Sequence, residues 1–364
     1  MIEAETFIRL EKAPKTAWVD KLTRLERMAI ERIRELERDI LKTYGLKTAC
    51  GIELEYFRYD IPGHKPVMGL KGFSDSHVVE RSFQESSGNH LFEIVLGKGV
   101  GTFYGKEEMS YEELLKRISP SKIANSAAIV RKLIEDNGHE RGFKPLFSAI
   151  STVFKDDIAA TQVALSLWNG NKNLLQITGD KVTPFISQLG NKCAEIQSLT
   201  CPLIVHSDDS LQRLKYAGST LGNYHVGTET DIGMTKSIRH KGPQNNDMSR
   251  FEFRLAGGDC SPVIETLVNL SAMSYALSKI FLPNIEKKAE NEYTSITTST
   301  GTFHIRDELE GIKTYKVPRT KAGLVIALEY LKQSSVAKEM FGHNLHTALV
   351  ENARDNLINV KGLY

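Results

Sequence analysis

Four cysteines in 364 residues, Cys50, Cys193, Cys201 and Cys260, stand apart with no Cys-x-x-Cys pair. That excludes a disulfide framework and a zinc ribbon, and it fits a reducing compartment. Neither charge is in surplus, since 47 Lys and Arg face 45 Asp and Glu for a formal net charge of +2. Gripping nucleic acid requires a concentration of cationic side chains, so no nucleic-acid partner is expected. No apolar run approaches the length that spans a bilayer, and the start Met1-Ile2-Glu3-Ala4-Glu5 shows neither a secretory nor an Arg-rich leader pattern. The expectation is a cytoplasmic chain with no membrane partner. Internal repeats, low-complexity tracts, a Gly-x-x-x-x-Gly-Lys phosphate loop and a His-Glu-x-x-His pair are all missing. His343 and His346 therefore read as surface or packing residues, and Ser166 and Ser237 have no partner pattern for nucleophilic catalysis.

With 41% hydrophobic residues the chain can build a substantial core. From Trp18 to Tyr44 apolar residues recur every three or four positions (Leu22, Leu25, Ala29, Ile33, Leu36, Ile40), which predicts a long helix stopped at Gly45. Strand patterns of period two follow at Cys50 to Tyr59, His90 to Val95, Gln162 to Leu167 and Arg250 to Leu255. Helical patterns cover Pro120 to Asp136, Pro184 to Leu199, Pro262 to Leu282 and Lys321 to Ser334. The stretches Thr294 to Thr302 and His240 to Ser249 read as loops. This mixed order predicts an α+β fold, with an arm and long helix over residues 1–45 ahead of one domain over 46–364.

Several carboxylates fall on the polar sides of those strands. Glu53 and Glu55 are two apart, so they point the same way, roughly 6 to 7 Å apart at the backbone. Glu93 and Glu252 sit likewise on two other strands, and Glu85 lies eight residues ahead of Glu93 across Ser86-Ser87-Gly88-Asn89. Carboxylates delivered from different strands make an all-oxygen ligand set suited to Mg²⁺ or Mn²⁺. On spacing alone, they fit equally well as solvated side chains on the wet face of an antiparallel sheet.

The order of the pieces resembles the catalytic domain of the glutamine synthetase superfamily. The family's Gly-x-Glu-x-Glu strand is matched by Gly51-Ile52-Glu53-Leu54-Glu55, and its glutamate pair around a Gly-Asn turn by Glu85 to Glu93 with Gly88-Asn89. A strand ending in Ser-Leu-Trp is matched by Ser166-Leu167-Trp168, and an Arg-x-Glu-x-Arg strand before a helix-initiating proline by Arg250-Phe251-Glu252-Phe253-Arg254 and Pro262. The resemblance runs from Gly45 to the end and implies a curved antiparallel sheet, a half-barrel, flanked by helices. It also implies an ATP- and Mg²⁺-dependent ligase that activates a carboxylate for attack by ammonia or an amine. Glu55, Glu85 and Glu93 would hold one divalent ion, and Glu53 and Glu252 a second. Arg239 and Arg250 would contact nucleotide phosphates, with Ser166 also on the nucleotide side. Arg254 would lie near the transferred phosphate and Arg213 would grip the substrate carboxylate. A homo-oligomer is left open.

The pattern also breaks. Where the family carries a Gly-rich segment with two histidines, this chain has Ile158-Ala159-Ala160-Thr161-Gln162-Val163-Ala164, so Gln162 stands in the place of a ligand histidine. Its amide oxygen is still a potential Mg²⁺ ligand. A flap glutamate falls on Ser219 and a nucleotide arginine on Met234. The 50 residues before Gly51 are mostly one helix and do not resemble the family's small amino-terminal β-grasp domain. These departures predict altered acid or amine recognition, or a catalytically weak paralogue that binds nucleotide or a partner.

Overall fold

A computed structural model describes residues 6–7, 22–62, 78–82, 91–97, 115–116, 118–139, 142–151, 158–177, 182–205, 207–216, 224–227, 235–238, 249–281, 293–307, 311, 313 and 315–358. The first helix, α1 (Arg24–Tyr44), begins where Thr23 and Glu26 form a reciprocal capping box: Glu26 N donates to Thr23 Oγ1 at 3.1 Å and Thr23 N to Glu26 Oε2 at 2.9 Å. Gly45 ends it in the left-handed region at φ 67°, its N–H bonded to Leu41 O. Residues Trp18 to Lys21 of the expected helix lie outside the described residues. The buried stripe is Ala29, Ile30, Ile33, Leu36 and Ile40, and it joins the same core as the rest of the chain.

That core lies between helices and an open ten-stranded sheet. The strands are β1 (Thr6–Phe7), β2 (Lys47–Asp60), β3 (Val78–Ser82), β4 (Leu91–Leu96), β5 (Phe143–Leu146), β6 (Thr161–Asn169), β7 (Lys172–Asn173), β8 (Tyr224–Gly227), β9 (Thr235–Ile238) and β10 (Arg250–Phe253). Their order is β1-β3-β4-β2-β6-β10-β9-β8, with β5 paired to β2 and β7 to β6. Every described pairing is antiparallel except β8 with β9. One side of the central strands is apolar and fully covered: Ile52, Leu54 and Tyr56, then Phe92 and Ile94, Val163, Leu165 and Leu167, Phe251 and Phe253 are all buried. Over it lie α2 (Pro120–Asn137), which packs on β2, and α5 (Pro262–Ile280), which packs on β6. Residues on every side of α5 are buried, because α1, α2 and α3 (Pro184–Thr200) surround it. The remaining helices are α4 (Asp208–Tyr216), α6 (Lys321–Gln333), α7 (Ser335–Phe341) and α8 (His343–Ile358). His346 is a packing residue, buried with Nε2 2.9 Å from Leu331 O. None of the described helices is long and apolar enough to cross a membrane.

One expected loop is a hairpin. Thr294 to Thr302 falls within β11 (Tyr293–Thr298) and β12 (Gly301–Arg306), paired antiparallel. Its threonines are β-branched and suit strands, and Phe303 and Ile305 are buried against the body, with Phe303 stacked on Phe281 at 4.8 Å. Polar residues dominate the run, so its composition masked the alternation. Residues 240–248 of the other expected loop lie outside the described residues.

The connection from β10 to α5 packs tightly against the sheet. A Cβ at Gly258 would stand 2.7 Å from Ser148 O and 3.1 Å from Glu55 O, so this backbone can approach the central strand only as glycine. Gly258→Ala is expected to cost about 1 to 3 kcal/mol through overpacking, read as a lower urea midpoint. An unchanged midpoint would mean the approach is not tight.

Candidate functional site

The opposite side of the sheet is polar, and register assembles it in rows. Glu55 lies directly across from Glu93, with Arg81 at the next register position on β3. One pleat along, Glu53 lies across from Gln162, and Arg254 follows, its Nε donating to Gln162 Oε1 at 3.1 Å. The third row runs Gly51, Ala164, Glu252, Lys236 and His225 in register. A fourth pairs Ala49 with Ser166, and Arg250 stands at the start of β10 opposite Ile238. Because Ala49, Gly51, Ala164 and Ser166 are small, the floor between Glu53, Gln162, Glu252 and Arg250 is low.

Glu55 is the most constrained group. Ala160 N–H donates to its Oε2 at 2.7 Å and Gln162 Nε2 to its Oε1 at 2.9 Å. Burial raises its pKa from 4.5 to about 7; Arg213, the Ala160 hydrogen bond and Arg254 oppose the rise, while Glu53 adds to it. Glu252 is buried between two guanidiniums, with Arg250 Nη2 3.7 Å from Oε2 and Arg254 Nε 3.8 Å from Oε1. Ser166 accepts a hydrogen bond from Trp168 Nε1 at 2.8 Å, which fixes its hydroxyl.

Arg213 reaches the end of β10 from the helical layer. It is buried on α4, and its two Nη groups donate to the main-chain oxygens of Arg254 and Leu255 at 3.1 Å each. Burial lowers its pKa, offset chiefly by the Glu55 carboxylate. The structure therefore brings Glu53, Glu55, Glu93, Gln162, Glu252, Arg250, Arg254 and Ser166 to one face, with Arg213 bonded to the main chain at the end of β10 and within electrostatic reach of Glu55 and Arg254. Glu85, Arg239, Ser219 and Met234 lie outside the described residues.

Other contributors were not evident from motifs. Asp259 accepts from Ser207 and from Ser210 Oγ at 2.7 Å, tying the start of α4 to the β10–α5 connection. Arg131 donates to Cys260 O at 2.7 Å and lies over the Phe147 ring at 4.7 Å. Glu265 on α5 is fully buried, neither carboxylate oxygen has a hydrogen-bond partner among the described residues, and burial holds its pKa well above its ordinary value despite Arg213. The signal for Glu265 was a lone acid in the otherwise apolar start of a helix. All four cysteines are free and buried. Burial raises their thiol pKa values, which makes them unreactive.

The two expected cation positions differ in how well these residues fit them. Among the described residues, no three acidic, imidazole or thiol groups come together closely enough to hold an ion. Glu55 and Glu93, directly opposed, supply two oxygen donors of the first set, whose third member is Glu85. Two carboxylates set directly across from each other repel unless a cation joins them, so this pair fits. The set of Glu53, Glu252 and Gln162 does not fit, because Gln162 turns its oxygen to Arg254 and guanidiniums flank Glu252.

A helix-backed sheet with a carboxylate and guanidinium face is the class of structure these features define, and it has known counterparts. The chain superposes on a novel glutamine synthase homolog with a TM-score of 0.61 at 15% identity, over 91% of this chain and 72% of that one. It superposes on GmaS in complex with ADP at 0.58 and 12% identity, over 92% and 75%. Against the glutamine synthetase of Plasmodium falciparum the values are 0.58 and 13%, over 90% and 76%. The fold is that of a glutamine synthetase-like catalytic domain. No protein-family model and no curated protein matches the sequence.

Glu55 also sets a pH dependence. Below 4.5 it is protonated in both folded and unfolded chains. Between 4.5 and about 7 only the unfolded chain releases the proton, so folding weakens as pH rises and the penalty is complete above about 7. Urea unfolding at pH 5 and pH 8 should show wild type losing about 2 kcal/mol more over that interval than Glu55→Ala. Equal losses in the two proteins would contradict the burial of this acid.

Proposed function

We propose that the chain is an ATP-dependent carboxylate–amine ligase. The acid substrate takes the terminal phosphoryl group of ATP to form an acyl phosphate, and ammonia or an amine then attacks the acyl carbon and releases phosphate. The observation that carries this reading is the Arg250-Glu252-Arg254 alternation. It sets two guanidiniums around one carboxylate on the face that also holds Glu53, Glu55 and Glu93.

Each group then has work suited to its chemistry. The Arg250 and Arg254 guanidiniums offer planar donors matched to phosphate oxygens and lower the energy of charge that builds up during transfer. Arg213 holds the Arg254 and Leu255 main chain in place, and Arg239 would join the phosphate contacts. The hydroxyl of Ser166, oriented by Trp168, is available to the nucleotide. Mg²⁺ or Mn²⁺ would be held by Glu55 and Glu93 with Glu85, and when bound would neutralise phosphate charge. The ADP-bound state of GmaS supports a nucleotide on this fold. The hydrogen bonds that occupy Gln162 favour a second reading, a catalytically weak nucleotide-binding regulator.

Purified protein with ATP, Mg²⁺, glutamate-like acids and a panel of amines should release phosphate. Arg250→Ala and Glu252→Ala should each lower kcat by about 10² to 10³-fold. No release across the panel, together with a rise in Tm on adding ATP, would replace the ligase by the regulator.

A further inference from the structure

Gln162 has one amide, and both of its ends are engaged. Its Nε2 donates to Glu55 Oε1 at 2.9 Å, and its Oε1 accepts from Arg254 Nε at 3.1 Å. The same Arg254 Nε lies 3.8 Å from Glu252 Oε1, while Arg250 lies 3.7 Å from Glu252 Oε2. An oxygen that ligates a hard cation must turn a lone pair to the ion, and a fixed positive charge within ion-pair distance of the same carboxylate repels a second one. Gln162 is only 5% exposed, and its register places it between Glu53 and the end of β10. The amide is therefore committed in orientation, with its acceptor turned toward the guanidinium.

We infer that the position between Glu53, Gln162 and Glu252 is filled by the protein's own Arg254 guanidinium, so this chain binds one divalent ion per site. Gln162 acts there as a positioning residue and not as a ligand. The Ala160 N–H, Glu55, Gln162 and Arg254 form one hydrogen-bonded chain, which holds a monovalent planar cation where a dication would otherwise sit. An arginine in this place gives charge and directed N–H donors but no exchangeable coordination positions. The single-ion part of this inference rests on the metal–nucleotide reading above, whereas the assignment of Arg254 stands on the contacts themselves.

Counting bound Mn²⁺ by electron paramagnetic resonance on the full chain, with and without a non-hydrolysable ATP analogue, tests it. Wild type is expected to bind one ion, Gln162→Leu to keep that one, and Arg254→Met to bind two. Gln162→His, which breaks the chain to Arg254 and supplies an imidazole ligand, should also bind two and serves if Arg254→Met fails to fold. A wild-type count of two that falls to one in Gln162→Leu would make Gln162 a ligand and overturn the inference. So would counts in both Arg254→Met and Gln162→His no higher than wild type. A wild-type count of zero under both conditions would instead remove the metal–nucleotide reading, and the Arg254 assignment would then stand only if these variants gain an ion.

Discussion

Burying Glu55 is the constraint around which the site is built. A carboxylate withdrawn from water is costly unless its oxygens are met by donors, and the donors come from residues 160 and 162, at the start of a neighbouring strand. Gln162 then passes the connection to Arg254 on a third segment. Satisfying one acid thus joins β2, β6 and the end of β10 through side chains as well as through the sheet's own ladder.

The helical layer keeps that connection in register. Arg213 grips the main chain just beyond β10 from α4, Asp259 ties the same connection to the beginning of α4, and Arg131 reaches it from α2. These contacts explain why two charged residues that no motif would single out, Arg131 and Asp259, stand beside the proposed chemistry.

Much of the architecture was legible in order and period. The alternation of Ile52, Leu54 and Tyr56 with Glu53 and Glu55 identified both sides of β2, and the stripe along α1 identified its buried side. Gly45 marked the helix end because only a residue tolerant of positive φ fits there. The hairpin at residues 293–306 was hidden because Ser and Thr serve turns and strands alike, and only packing of Phe303 and Ile305 separates the two uses. Arg213 was legible as a charge of interest, but its partners are carbonyl oxygens, which every residue carries and no sequence pattern reports.

By itself, then, the sequence determined the α+β class, the two-sided strands and the residues that reach the polar face, because side-chain period follows directly from backbone geometry. Tertiary structure alone decided which of those residues meet. That Glu55 opposes Glu93, that Gln162 joins Glu55 to Arg254, and that Arg213 faces the main chain all depend on strand order and helix placement. Those arise from long-range packing, in which residues about a hundred positions apart share one hydrogen bond.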